Sequence, residues 1–225
     1  MNPFTTIFEA VLVLAGAGLA FGFRPFAVLR QAALRPPWFA ALVILPLAWF
    51  PLALLPGSLL QFSFACLLVL MFGWPLAVCT LLIVAALASL LYGGGAIGAL
   101  GLAAWNGVVP ATFALLAGIA VRRFLPAHVF VYILGRGFFA TVVAILLSGM
   151  LAILARPLPP GPTAPTLVVG YWLIAWGEGT LTGMLTAIFV AFRPGWLLTW
   201  SDLRYLRPPN KRADPPDSRL QGGPK

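Results

Sequence analysis

The sequence predicts an all-α, polytopic membrane protein. Hydrophobic residues make up 61% of the 225 residues and charged residues only 8%, and the mean hydropathy of +1.01 is far above that of soluble domains. Several apolar stretches reach the roughly 20 residues that a helix needs to cross a bilayer, and the alternating pattern of a membrane β-barrel is missing. We therefore expect one helical bundle embedded in a membrane.

Arginine, proline and glycine divide the apolar stretches into seven predicted spans. The spans are 4–23, 38–55, 58–73, 75–92, 97–120, 128–154 and 167–192. The region 58–92 allows two interpretations: a tight hairpin of two short helices broken at Gly73-Trp74-Pro75, or one long span with a re-entrant piece.

The basic residues predict the orientation of these spans. With seven spans and the N-terminus outside, twelve of the fourteen basic residues fall on the cytoplasmic side, Arg156 lies outside and Arg136 lies within a helix. The twelve are Arg24, Arg30, Arg35, Arg122, Arg123, Arg193, Arg204, Arg207, Lys211, Arg212, Arg219 and Lys225. We expect a multi-pass protein of a bacterial inner membrane, and the net charge of +9 indicates topology and no nucleic-acid partner.

The chain is predicted to have one transmembrane domain, residues 1–207, and a disordered basic, proline-rich cytoplasmic tail, residues 208–225. The domain ends in a short segment, 194–207, that mixes Trp, Leu and Tyr with Arg. Such a mixture is typical of a helix at the inner interface, and it also suits a docking surface for a cytoplasmic partner.

Charged side chains inside the predicted spans are candidates for a functional site, because an uncompensated charge is costly there. Glu178 lies about fifteen residues before Arg193 and Arg136 about thirteen after Arg123, so both are deep in the bilayer at similar depths. Two interpretations are open. Arg136 and Glu178 form a structural ion pair, or Glu178 takes part in transport by binding a cation or proton. Glu9 is expected near the outer end of the first span, lining an entrance or snorkelling to the surface.

Glycines and one amide mark irregular or closely packed helices. The run 92–101, YGGGAIGALG, predicts a bend or broken helix at membrane depth, and Asn106 is the candidate for fixing that bend. Pairs of glycines four residues apart predict close helix contacts. These pairs are Gly18 and Gly22, Gly94 and Gly98, and Gly179 and Gly183.

From about Leu60 to Tyr205 the sequence resembles the cobalt/nickel permease family, the substrate-capturing membrane subunits of energy-coupling factor ABC transporters. The resemblance is carried by GWPLAVCTLLIVAALASLLYGGGAIGALGLAAWNGVVPATFALLAGIA (73–120), with Asn106-Gly107 before Pro110, and by Glu178-Gly179 and Arg193-Pro194. It implies about seven spans, a transmembrane coupling partner and cytoplasmic ATPases that use the ATP. This chain has no Walker motif, as expected of a subunit without its own ATPase site.

The family's metal site is built from the N-terminal amine, a histidine at the second position and a histidine early in a following helix. Here the second residue is Asn2, followed by Pro3, and Gln61 stands near the later position. Cobalt and nickel favour nitrogen and sulfur donors over an amide oxygen. We therefore expect a divergent member that either handles another ligand or has lost transport.

Other metal ligands are sparse. Met1, Cys66 and Cys79 are weak candidates for a soft-metal site, and the only histidine, His128, is expected to make a polar contact at the start of a helix. The two cysteines more simply fit a buried core.

The sequence thus predicts a permease subunit for a transition-metal cation, with Glu178, Asn106 and Gln61 facing one internal cavity and Glu9 at its entrance. No catalytic motif is present, so an enzyme is not expected. The alternative is a non-transporting membrane scaffold or assembly factor that binds partners through its glycine faces and basic inner segment.

Overall fold

The computed structural model describes residues 3–49, 60–158 and 160–205, and within these ranges the regular secondary structure is entirely helical. The α-helices are α1 (Pro3–Gly22), α2 (Arg35–Ala48), α3 (Ala65–Tyr92), α4 (Gly95–Leu102), α5 (Val109–Phe124), α6 (Ala140–Ala155), α7 (Ala164–Phe192) and α8 (Asp202–Tyr205). Two π-helical stretches, Ala103–Val108 and Val131–Phe139, join α4 to α5 and lead into α6. Short 3₁₀ turns lie at Pro25–Arg30, Ala32–Leu34 and Pro194–Trp196.

In the described ranges, five helical stretches are long and apolar enough to cross a membrane, which confirms the predicted class of a multi-pass helical membrane protein. They are Pro3–Gly22, Ala65–Tyr92, Gly95–Phe124, Val131–Ala155 and Ala164–Phe192, and the apolar stretch Ala32–Ala48 is shorter. The count of seven spans stays a prediction. The tail 208–225 and parts of the predicted spans 38–55 and 58–73 lie outside the described residues.

The break predicted at Gly73-Trp74-Pro75 is present in α3. Gly73 adopts φ 75° and ψ 161°, a conformation open to glycine, and Pro75 has no N–H to donate. The break separates the eight-residue piece Ala65–Phe72 from the longer remainder of α3. Every residue of this piece is buried, so a helix only about 12 Å long lies in the middle of the bundle.

The glycine run does not bend a helix inside the bundle, which corrects the prediction for 92–101. Gly93 and Gly95 have φ values of 74° and 61° and form the turn between α3 and α4. The Gly94 N–H closes this turn by donating to the Ser89 carbonyl at 2.9 Å. The irregular backbone lies further on, in the π-helical stretch that contains Asn106.

Close helix contacts form at only part of the predicted glycine positions. A Cβ at Gly179 would lie 2.6 Å from the Val142 side chain, and one at Gly183 would lie 3.2 Å from Phe138, so α7 packs tightly against α6 and the stretch before it. The prediction was wrong for Gly18 and Gly22, because no atom of the described chain lies within 4 Å of either Cβ position.

One end of the bundle, here called the basic end, carries most of the arginines of the described chain. It comprises the end of α1, the start of α2 and the ends of α5 and α7, with Arg24, Arg30, Arg35, Arg122, Arg123 and Arg193. The segment after α7 folds back there onto the short piece of α3. Leu198 N–H donates to the Met71 carbonyl at 3.0 Å, and the Thr199 hydroxyl donates to the Leu70 carbonyl at 2.9 Å.

Candidate functional site

Glu178 lies in the middle of α7 with 0% of its surface exposed. Its Oε2 accepts the Ser63 N–H at 2.7 Å and its Oε1 accepts the Phe64 N–H at 2.9 Å. Phe64, at φ 56°, is the residue from which α3 begins. The carboxylate therefore satisfies free N–H groups at the start of a helix, where the helix dipole also favours a negative charge.

Ser63 joins three parts of the bundle at this point. Its hydroxyl donates to the Asn106 carbonyl at 2.6 Å and accepts the Ala65 N–H at 3.1 Å, while its own carbonyl accepts the Trp49 indole N–H at 3.2 Å. Non-helical backbone deep in a membrane bundle requires such partners. Ser63 was not among the predicted site residues, although its position two residues after Gln61 in a predicted apolar span was an available signal.

A small polar cavity lies beside this junction, with a volume of about 20 Å³, enough for about one water molecule. Gln61, Ser63 and Asn106 line it, together with Trp105 and Tyr171. Within the described ranges the buried amide nitrogens of Gln61 and Asn106 have no hydrogen-bond partner. The structure thus brings Gln61 and Asn106 together at the cavity. Glu178, predicted to face the same cavity, is not among the residues that line it and is linked to it through Ser63.

Glu9 is neither a surface residue nor a snorkelling one, because it is 0% exposed. Its Oε1 lies 3.3 Å from the Nε of Arg156 and accepts the Trp105 indole N–H at 2.8 Å. Its Oε2 has no hydrogen-bond partner among the described residues. Arg156, with 26% of its side chain exposed, therefore compensates this charge at the end of the bundle opposite the basic end.

The predicted ion pair between Arg136 and Glu178 is not formed, although the structure describes both residues. Arg136 packs against Gly118 of α5, its Nε 3.4 Å from where a Cβ would stand, and its Cζ lies 5.4 Å from the centroid of the Tyr132 ring. Its Nε has no hydrogen-bond partner in the described part of the chain. The two side chains contact different neighbours.

The weak metal candidates that the structure describes, Cys66 and Cys79, do not assemble into a metal site with other described residues. Cys66 and Cys79 are buried and, as far as the structure is described, not in a disulfide. No group of three or more His, Cys, Asp and Glu side chains within the described ranges is placed to hold a metal ion. Met1 and Asn2 lie outside the described residues, and His128 accepts the Phe130 N–H at 3.3 Å near the start of its helix.

Long apolar helices around a small buried polar site define the class: a multi-pass helical membrane protein. A family model described as CbiM, cobalt uptake substrate-specific transmembrane region, matches residues 5–196. The chain belongs to this family, which confirms the resemblance to the cobalt/nickel permeases. Searches of curated proteins and of solved structures gave no match.

Proposed function

We propose that this chain is the substrate-capturing membrane subunit of a metal importer of the energy-coupling factor ABC type, with Co²⁺ or a similar divalent transition-metal cation, such as nickel, as substrate. The observation that carries the proposal is the family match over residues 5–196 together with the small cavity between Gln61 and Asn106. A cavity of about 20 Å³ suits a single ion stripped of its water shell.

The lining residues offer oxygen ligands to such an ion. Amide oxygen and nitrogen exchange places by rotation of the side chain, so Gln61 and Asn106 can present either atom to the cavity. Glu178 supplies negative charge from behind Ser63, and no cationic side chain of the described residues forms an ion pair with it. Because oxygen donors suit cobalt and nickel less well than imidazole does, we expect binding weaker than that of a histidine site.

The proposed topology has seven crossings, with the N-terminus outside and the basic end in the cytoplasm. The stretch 60–72 accounts for one crossing, in which residues 60–64 are non-helical and Ala65–Phe72 is helical. The positive-inside rule supports this orientation, because the six arginines of the basic end lie together. Tags that report their compartment should place the N-terminus outside the cell membrane and the C-terminus in the cytoplasm.

Energy for import is proposed to come from partner subunits. A transmembrane coupling subunit and cytoplasmic ATPases would hydrolyse the ATP, and the segment 194–205 at the basic end is the proposed contact surface. Two half-buried tryptophans belong to it: Trp196 packs against Phe189 near the end of α7, and Trp200 packs against Tyr132 and Tyr205.

The test is metal analysis of the purified protein after growth in nickel, cobalt, copper and zinc, combined with ⁵⁷Co²⁺ uptake by cells. We expect cobalt in the wild-type protein and its loss in the double variant Gln61→Ala/Asn106→Ala, with uptake falling in parallel. Gln31→Ala is the matched control, because Gln31 is an exposed amide remote from the cavity. Cobalt accumulation that ignores loss of the protein would reject transport and favour the membrane scaffold.

A further inference from the structure

Three oxygen-bearing side chains follow one face of α7, one per helical turn. They are Glu178, Thr182 and Thr186, here called the α7 polar row, and each is 0% exposed. Successive members are about 6 Å apart along the helix axis. The row begins at the carboxylate beside the cavity and runs toward the basic end.

The hydroxyls of Thr182 and Thr186 differ from the other helical hydroxyls of this chain. Five of those donate to the carbonyl four residues earlier, as is usual for Ser and Thr inside a helix. The five are Thr80, Thr112, Thr141, Ser148 and Thr180. Within the described ranges Thr182 and Thr186 have no hydrogen-bond partner, so two fully buried hydroxyls keep their bonding capacity unused.

The last member of the α7 polar row, Thr186, faces the π-helical stretch Val131–Phe139. The Thr186 hydroxyl lies 3.1 Å from where a Cβ of Gly137 would stand, and Gly183 lies against Phe138. Glycine at 137 leaves room for the hydroxyl, and π-helical turns occur often at functional sites. Arg136 of the same stretch packs against Gly118 of α5, so its positive charge lies away from α7.

We propose that the α7 polar row is a passage for a divalent cation from the Gln61–Asn106 cavity toward the basic end. This inference rests on the proposed function and adds the route of release. Glu178 provides the first oxygen ligand, held in place by the Ser63 and Phe64 N–H groups, and the Thr182 and Thr186 hydroxyls provide the next two. The Thr186 hydroxyl lies against Gly137 in this structure, so passage of the cation requires α7 to move away from the 131–139 stretch.

The experiment compares Thr182→Val/Thr186→Val with wild type, using Co²⁺ binding to purified protein and ⁵⁷Co²⁺ uptake by cells. Valine matches threonine in shape, so the double variant should bind Co²⁺ as wild type does and be at least as resistant to thermal unfolding. Each lost oxygen ligand should slow uptake by about fivefold. The Thr182→Ser/Thr186→Ser variant restores both hydroxyls and should restore uptake.

Thr180→Val is the matched control, because Thr180 lies on the same helix, is exposed and donates to the Trp176 carbonyl. It should leave uptake unchanged. Wild-type uptake in the double valine variant would overturn the passage, as would loss of Co²⁺ binding, which would make the hydroxyls part of the cavity itself. A wild-type protein that takes up no Co²⁺ would instead reject the proposed function.

Discussion

Two glutamates are fully buried in this bundle, and their charges are compensated in opposite ways. Glu9 has the guanidinium of Arg156 at 3.3 Å and the indole of Trp105 at 2.8 Å. Glu178 is held by two backbone N–H groups at 2.7 and 2.9 Å, and no side-chain cation within the described ranges forms an ion pair with it. The first arrangement ties helices together, whereas the second links a carboxylate to a break in the backbone beside a polar cavity.

The largest effect is expected for Glu178→Ala. Removing the carboxylate leaves the Ser63 and Phe64 N–H groups buried without their acceptor. Since each of the two hydrogen bonds to this charged group contributes about 1.5–3 kcal/mol, the free energy of unfolding should fall by about 3–6 kcal/mol. Thermal unfolding in detergent micelles measures this loss, and ⁵⁷Co²⁺ uptake should disappear with it.

Glu178→Gln sharpens this test, because glutamine keeps one acceptor oxygen and the shape of the side chain. We expect an intermediate loss of stability, with the protein still inserted in the membrane and uptake impaired. Uptake equal to wild type would remove the Glu178 charge from the mechanism.

The next effect is expected for Arg156→Met, which leaves the buried Glu9 charge uncompensated. Breaking a buried pair costs about 3–5 kcal/mol, and the partial exposure of Arg156 reduces our expectation to about 2–4 kcal/mol. The double variant Glu9→Gln/Arg156→Met should recover at least half of this loss in the same unfolding assay. If the single variant is as stable as wild type, the ion pair has no structural role.

A smaller effect is expected for Trp105→Phe. The substitution removes the indole donor to Glu9 while keeping an aromatic ring, so we expect a loss of about 1–2 kcal/mol. Trp172→Phe is the control, because Trp172 is half exposed. Equal melting temperatures for the two variants would contradict the assigned hydrogen bond.

The smallest effect, and one of opposite sign, is expected for Gln61→Met. Methionine has a similar shape and removes an amide nitrogen that has no partner in the described chain, so stability should rise by up to about 1 kcal/mol. Co²⁺ binding to the purified variant should weaken at the same time. A destabilised variant with unchanged binding would place Gln61 in the scaffold of the bundle instead.

The sequence predicted the helical membrane class, the break at Gly73 and the burial of Glu178. Each of these depends on the residue itself and its neighbours in the chain: a long apolar stretch, a glycine followed by a proline, or an acid within an apolar stretch. It did not predict what Glu178 contacts, since the Ser63 N–H lies 115 residues away and a backbone donor has no sequence signature. The pairing with Arg136 was wrong because spacing from a helix end gives depth but not the direction of the side chain.

The Glu9 pairing was closer to being predictable. Both Glu9 and Arg156 were expected at the outer end of the bundle, so their similar depth was a usable signal. The sequence did not show how α1 is rotated about its own axis. In the structure this rotation turns Glu9 inward toward Trp105 and Gly101.

The short helical piece Ala65–Phe72 is held by hydrogen bonds at both ends. Its first turn is preceded by the N–H groups that bind Glu178, and its last carbonyls, on Leu70 and Met71, bind Thr199 and Leu198 of the segment after α7. A rigid rod about 12 Å long therefore connects the chain surface at the basic end with the buried carboxylate. Because hydrogen bonds hold the piece at both ends, Leu198 and Thr199 cannot shift along its axis relative to Glu178 without breaking some of these bonds.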